Sequence, residues 1–335
     1  MQRIAVTGSS GYLGRHLIRH IRLSDPRIDI MGLDVAPPRG GPAHNFAQVD
    51  VRSPKVHDVL EAFRPDTVVH LAFIVNPIHD EALMHDINLN GSRNVFDAVD
   101  RIGANRFLVA SSATAFGAWS DNPLPMDDRW PIRGRPGFSY SGDKTELEKM
   151  LGEFAVRHPQ MAVSWIRPCL IYGPDVDNYL SRMLLKYPLV VLPDGCDVPQ
   201  QYVHEDDVAA ATWCILSRGG RGPYNIGPPD WVHLTDLARE TGRRTVKLPL
   251  WTMQLASRIC WGLRLPVLAY PPAMNSYIRY AWVVAPNRLC RELGFRFKFS
   301  SLDTLRALLR AHGKLARGSL SLPSATPSSE QRRAG

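Results

Sequence analysis

A short apolar run, Ile4-Ala5-Val6, leads directly into Thr7-Gly8-Ser9-Ser10-Gly11-Tyr12-Leu13-Gly14, and a helical apolar pattern follows at Leu13, Leu17, Ile18 and Ile21. Strand, glycine-rich turn and helix, in that order, constrain the fold more than any other feature of the chain. Gly8 permits a tight turn off the strand, Gly11 lets the backbone approach a pyrophosphate, and Gly14 lets the helix pack closely on a sheet. The first helical turn presents unpaired N–H groups and the positive end of the helix dipole to phosphate. The segment therefore reads as a dinucleotide-binding turn, with Gly8, Ser10, Gly11, Tyr12, Leu13 and Gly14 around the diphosphate.

The alternation continues downstream. The first helix runs to about Leu23, where Ser24-Asp25-Pro26 stops it, and a second strand from Ile28 to Leu33 ends at Asp34, twenty residues past Gly14. At that position a carboxylate accepts hydrogen bonds from the adenosine ribose hydroxyls and repels a 2′-phosphate, which favours NAD over NADP. Arg39, in the loop from Pro37 to Gly41, is the residue that could accommodate such a phosphate. Gln48 to Val51 reads as a strand end, where Asp50, with Val51 beside it, stands either at the adenine edge of the cofactor or as an ordinary turn carboxylate. Lys55 to Phe63 reads as a helix, and Thr67 to Ala72 as a strand buried on both faces, as a covered parallel sheet requires. The backbone at Leu71, Ala72 and Phe73 is then expected against the cofactor, with His70 as a packed strand-end histidine. Asp80 to Ile102 reads as one long helix containing Asn88 and Gly91, and Arg106 to Ala110 as the next strand. Strands and helices alternating in this way predict an α/β protein with a Rossmann-type doubly wound parallel sheet.

Ser111-Ser112-Ala113-Thr114 follows that last strand, and after a Pro/Gly/Asp-rich loop a helix opens with Tyr140-Ser141-Gly142-Asp143-Lys144. Tyr and Lys at i and i+4 share one helix face. A free tyrosine titrates near pH ~10, too high for a base at neutral pH. A lysine one turn away and a cationic nicotinamide ring both favour the phenolate. Tyr140 can then exchange a proton with a substrate hydroxyl while hydride moves to or from the cofactor, Lys144 can hold the nicotinamide ribose, and Ser112 can bond the same substrate oxygen.

These pieces resemble the extended short-chain dehydrogenases/reductases, the NAD-dependent epimerase/dehydratase group. The resemblance rests on the glycine turn, Asp34, His70-Leu71-Ala72, Asn88 with Gly91, Ser111-Ser112 and Tyr140-x-x-x-Lys144. It continues through Arg167-Pro168, Tyr172-Gly173-Pro174, Tyr202 to Ala209 and Tyr224-Asn225-Ile226-Gly227, and so covers about Met1 to Gly227. It implies a Rossmann domain, a smaller C-terminal substrate-binding lobe, bound NAD(P) and a Ser112–Tyr140–Lys144 site, with Asn88, Tyr140, Lys144 and Arg167 as further cofactor contacts. It also implies a two-fold homodimer through the helices Asp80–Ile102 and Tyr140–Phe154. On this plan residues 1–170 form the NAD(P)-binding domain with 200–228 returning to it, 171–199 and 229–315 form the lobe, and 316–335 form a disordered Ser/Pro/Arg-rich tail.

Three positions bear on the reaction. The family's dehydratases carry an Asp-Glu pair directly after the hydroxyl residue, whereas Ala113 and Thr114 stand here and cannot supply an acid and a base. The Ser-Ala-Thr run is similar to that of UDP-galactose 4-epimerases. Leu170 and Gln200 stand where nucleotide-sugar members usually carry Asn and Arg for the substrate diphosphate. The expected function is a sugar 4-epimerase-like reaction on a small-molecule substrate. A dehydrogenase or ketoreductase acting on a hydrophobic alcohol or ketone is the rival, and a non-catalytic NAD-binding scaffold is the reading from another class.

Net charge is +8, and from Arg239 to Arg317 fifteen Lys/Arg face three Asp/Glu. Leu250 to Tyr270 interleaves Trp251, Met253, Leu255, Ile259 and Trp261 with Arg258 and Arg264, which reads as a buried lobe helix, a dimer face or a peripheral membrane contact. The five cysteines form no CxxC pair, and His204, Asp206 and Asp207 read as a helix start capped by the acids, so no metal is expected. A cytoplasmic protein with no signal peptide, no membrane span and no nucleic-acid partner is the expectation.

Overall fold

The computed structural model describes residues 1–38, 44–268 and 270–316, so Arg39 and the tail from 317 onward lie outside the described residues. The chain opens β1 (Arg3–Thr7), α1 (Tyr12–Ser24), β2 (Asp29–Asp34), β3 (Asn45–Gln48), α2 (Lys55–Phe63) and β4 (Thr67–His70). Next come α3 (Glu81–His85), a π-helical turn (Asp86–Asn90), α4 (Gly91–Ile102), β5 (Arg106–Ala110), a 3-10 turn (Ala113–Phe116), α5 (Ser139–Arg157) and β6 (Ala162–Pro168). Together with β11 (Gly222–Ile226) the six strands form a seven-stranded sheet in the order β11-β6-β5-β4-β1-β2-β3. All of its pairings are parallel. The strand order reverses between β1 and β4, which opens a crevice at the C-terminal strand ends where such sheets bind ligands.

Alternation explains the apolar runs. Ile4 and Val6 point to one face of the sheet and Ala5 to the other, just as Leu108 opposes Phe107 and Val109. Both faces are covered, so neither set tolerates polar residues.

Two elements depart from the sequence reading. The strand expected at 48–51 is β3, three residues earlier, and Val49 N–H follows it by donating to Asp34 O at 2.9 Å. The helix expected from Asp80 to Ile102 contains a π turn, because the Asn88 amide is held by the Ile74 backbone and by Asp143.

After β6 come β7 (Leu170–Tyr172), α6 (Tyr179–Lys186), β8 (Leu189–Pro193), β9 (Pro199–Gln200), β10 (Tyr202–His204) and α7 (Glu205–Ser217), which packs against α1. Beyond β11 lie β12 (Val232–His233), α8 (Leu234–Thr241), β13 (Arg244–Leu248), α9 (Leu250–Gly262), α10 (Ser276–Arg279), α11 (Asn287–Leu293) and α12 (Ser301–Ala311). β7 pairs with β10, β8 with β13 and β9 with β12. Tyr172, Val190, Leu192, Leu237, Leu305 and Leu309 form a separate apolar cluster beneath these small sheets. α11 instead packs on β11 and α7, with Leu289 and Leu293 in the main core. The cap of α7 is His204, whose Nδ1 accepts from Asp206 N–H at 3.2 Å. This corrects the expectation that the acids cap: Asp207 accepts the N–H groups of Lys298 and Phe299 and docks that segment.

Candidate active site

The glycine turn lies across the C-terminal ends of β1 and β2. Gly8 has a φ of +71°, and a Cβ there would stand 2.6 Å from Ala72 N, so a side chain is barred by conformation and by space. A Cβ on Gly14 would strike the Gly8 carbonyl oxygen, which shows how closely α1 seats on the turn. No side chain caps α1, whose first turn therefore keeps donors free for an anion. Asp34 closes the other side of the cradle. Its carboxylate accepts Ser10 N–H at 3.0 Å and Ala36 N–H at 3.1 Å and keeps further lone pairs for a ribose. This is a cradle that suits a dinucleotide with an unphosphorylated adenosine ribose. The Asp50 carboxylate meets the Arg52 guanidinium at 2.7 Å, beyond the end of β3.

Ser112 caps the 3-10 turn that follows β5, its Oγ accepting Thr114 N–H at 3.2 Å. α5 brings Tyr140 and Lys144 to the same strand end. Lys144 Nζ donates to Ala110 O at 2.6 Å, sits 3.3 Å above the Phe73 ring centre and lies 5.7 Å from the Tyr140 ring centre. Burial pushes the Tyr140 hydroxyl up to about 12, and the Ser112 and Thr114 hydroxyls facing it partly offset this. Burial pulls the Lys144 ammonium down to about 7, against the carboxylates of Glu148 and Asp143. Thr114 Oγ1 is buried and faces the Tyr140 hydroxyl.

The same helix is anchored by charges that sequence reasoning missed. Glu148, one turn beyond Lys144, forms a buried ion pair with Arg167 and accepts from Ser111 Oγ at 2.6 Å and Trp165 Nε1 at 3.0 Å. The Arg167 guanidinium also donates to Asp128 O at 2.8 Å. All three of its nitrogens are engaged inside the fold, by Glu148 and by the Asp128 carbonyl. The Asn88 amide is likewise engaged, by Ile74 and by Asp143 Oδ2 at 2.9 Å, and so ties α5 to the loop after β4. Glu148 shares the i, i+4, i+8 face of Tyr140 and Lys144, and that spacing was the available signal.

Beyond Tyr140 the walls are aromatic. The Tyr277 hydroxyl donates to Thr114 O at 2.9 Å and lies 2.9 Å from Ser141 Oγ. Phe138 stands 5.8 Å from Tyr140 and 5.6 Å from Tyr277 between ring centres. The Tyr179 hydroxyl meets Met274 Sδ at 3.1 Å, and burial together with its tyrosine neighbours drives its pKa well upward. Leu170 lies on β7, and Gln200 is buried with its amide donating to Pro199 O at 3.1 Å, so neither extends a charge toward a substrate. Among the described residues His16, Asp175 and Glu205 have ligand-type atoms within 4.8 Å of one another, beside the hydroxyl of Tyr12, which bonds Glu205.

A doubly wound parallel sheet with a glycine cradle on β1 and a Tyr-x-x-x-Lys helix at the end of β5 defines the extended short-chain dehydrogenase/reductase class. Within that class, the model of the NAD dependent epimerase/dehydratase family matches residues 4–227, and the chain belongs to that family. An uncharacterized protein of Mycobacterium tuberculosis is 25% identical over 323 residues, covering 92% of this chain and 84% of that protein. UDP-glucuronic acid decarboxylase 1 of Arabidopsis thaliana is 24% identical over 251 residues, covering 70% of this chain and 57% of that protein. The UDP-glucose 4-epimerase of Thermus thermophilus in complex with NAD superposes with a TM-score of 0.72 at 21% identity, covering 93% of this chain and 99% of that one. The dTDP-glucose 4,6-dehydratase of Bacillus anthracis in complex with NAD has a TM-score of 0.70 at 14% identity, covering 94% and 97%.

Proposed function

We propose that the protein is an NAD-dependent epimerase that inverts a secondary alcohol of a sugar-like substrate. The observation that carries this reading is the convergence of Ser112, Thr114, Tyr140 and Lys144 at the end of β5, with no acid at positions 113 and 114. Bound NAD supplies a two-electron hydride acceptor and, on the return, the donor. Tyr140 Oη accepts the hydroxyl proton as the carbinol carbon gives up hydride, which leaves a ketone. Ser112 Oγ hydrogen-bonds the reacting oxygen throughout. With NAD as acceptor and donor in turn, Tyr140 would restore the proton to the oxygen once the ketone is reduced on its opposite face, so that the inverted alcohol forms and protons and electrons balance over the cycle. Gly8 to Gly14 hold the diphosphate, and Asp34 holds the adenosine ribose.

The aromatic walls and the uncharged Leu170 and Gln200 support a second reading, net oxidation or reduction of a hydrophobic alcohol or ketone. Incubation with paired epimers such as UDP-glucose and UDP-galactose separates the two. Interconversion without accumulation of reduced cofactor is expected. Reduced cofactor accumulating in step with a ketone product sinks the epimerase reading in favour of the second.

A further inference from the structure

Among the described residues α9 is the least enclosed long helix. Only Ser257 is fully buried along it, and Ser257 holds the helix down by accepting from Asn275 Nδ2 at 2.8 Å. On the opposite side Trp251, Leu255 and Ile259, at i, i+4 and i+8, stand in solvent, with Trp251 65% exposed. The chain leaving the helix extends this surface through Leu263 (68% exposed), Leu265 and Val267. Arg258 lies on the same stripe and Arg264 beside its end, and neither has an ion-pair partner among the described residues. Exposed apolar residues usually occur singly, and a continuous strip of them marks a contact surface.

Charge identifies the partner. Between Glu240 and Glu292 the sequence has eight Lys/Arg and no Asp or Glu. Asp194 at the start of α9 pairs with Arg279, whereas Arg258 and Arg264 beside the apolar strip stay unpaired among the described residues, so a two-fold contact centred on the strip would set these arginines of two copies against one another. The chain's own residues 317–335 carry three Arg and one Glu and few large apolar groups, so they complement neither the charge nor the apolar strip. Apolar side chains flanked by unpaired arginines suit an anionic lipid surface, where the rings and aliphatic chains enter the headgroup–acyl boundary and the guanidinium groups meet phosphates. No helix among the described residues is long and apolar enough to cross a bilayer, so the contact is one of lying on the surface. We propose that α9 and residues 263–267 dock the protein on anionic membrane surfaces.

The test is flotation of the full-length protein with phosphatidylcholine vesicles and with vesicles that also contain phosphatidylglycerol. The protein is expected to float with the anionic vesicles at low salt, to be released as salt rises, and to stay down with phosphatidylcholine alone. Trp251→Ser/Leu255→Ser/Ile259→Ser is expected to abolish flotation, and Arg258→Ala/Arg264→Ala to weaken partition by roughly twenty-five-fold, given about fivefold per cation near an anionic surface. Unchanged thermal unfolding shows that the variants are folded, and in the wild type a vesicle-induced blue shift that Trp251→Phe removes gives an independent reading. Wild type that remains at the bottom with anionic vesicles at low salt overturns the proposal. So does a triple variant that floats like wild type, which assigns binding to another basic segment. A wild-type dimer that the triple variant splits, without lipid binding, assigns the strip to a second copy instead.

Discussion

In the proposed mechanism Tyr140 carries the chemistry only because of its neighbours. Held up to about 12 by burial, its hydroxyl is protonated at neutral pH and becomes a base when cations gather beside it. Tyr140→Phe is therefore expected to lower kcat by ~10²–10⁴ while NAD affinity stays within a few fold, read by steady-state rates and by fluorescence titration. Full activity in that variant would falsify the assignment. Lys144 tests the electrostatics separately. Removing its charge leaves the phenolate less stabilised, so in Lys144→Met the rise of kcat/KM with pH is expected to move to higher pH. An unmoved profile means that Lys144 only holds a ribose. The Tyr–Lys spacing and the Ser-bearing strand end were legible in the sequence because helix periodicity alone brings them together. Phe73 over Lys144 and the Thr114 hydroxyl facing Tyr140 were not, since both depend on how separate loops fold across the sheet edge. The partners of Arg167 and Asn88 were hidden for the same reason: a motif gives a residue's address, and the buried contacts with Glu148 and Asp143 form only in the fold.

At the scale of elements, α5 is fixed by polar contacts as much as by packing. Glu148→Ala leaves the Arg167 guanidinium buried without its carboxylate and is expected to cost ~3–5 kcal/mol of folding stability, measured by urea unfolding. His70 ties three elements together, bonding Thr7 Oγ1 of β1 at 2.7 Å and Ser92 Oγ of α4 at 2.9 Å. Burial, with the Lys144 charge adding to it, depresses its pKa from 6.5 to about 3. The folded protein thus refuses a proton that the unfolded chain takes. Stability is complete above about pH 6.5 and falls as pH drops toward about 3, at ~1.4 kcal/mol per pH unit for this one group. His70→Gln is expected to flatten that acid limb while lowering stability at pH 7, and an unchanged acid limb assigns it to other groups. Apolar alternation revealed the parallel strands because both sheet faces are covered. The π turn at Asp86–Asn90 was hidden, because a side-chain bond from Asn88 to a distant loop creates it and helical periodicity is barely disturbed.

For the molecule as a whole, the reaction dictates how the cofactor must be held. An epimerase needs the same nicotinamide for both hydride transfers, so release between turnovers serves no purpose and slow release is favoured. A net dehydrogenase must exchange its cofactor every cycle. The cradle built by Gly8, the uncapped α1 and Asp34 offers backbone donors to a diphosphate and a carboxylate to a ribose, and it sits against Ala72 with no room for a side chain. Protein purified without added cofactor is therefore expected to release close to one NAD per chain on denaturation, read by absorbance and chromatography. Ligand held by the native state alone also raises apparent stability by mass action, so stripped protein is expected to unfold at a lower temperature and to recover when NAD is restored. Asp34→Ser removes the carboxylate proposed to hold the ribose, whose charged hydrogen bonds would be worth ~1.5–3 kcal/mol, and is expected to lower both NAD content and NAD preference over NADP. An empty protein stabilised by NADPH in preference to NADH contradicts the role given to Asp34. An empty protein stabilised by NADH keeps that role and moves the reaction from inversion to net hydride transfer, because a cofactor that leaves freely cannot serve both halves of one inversion.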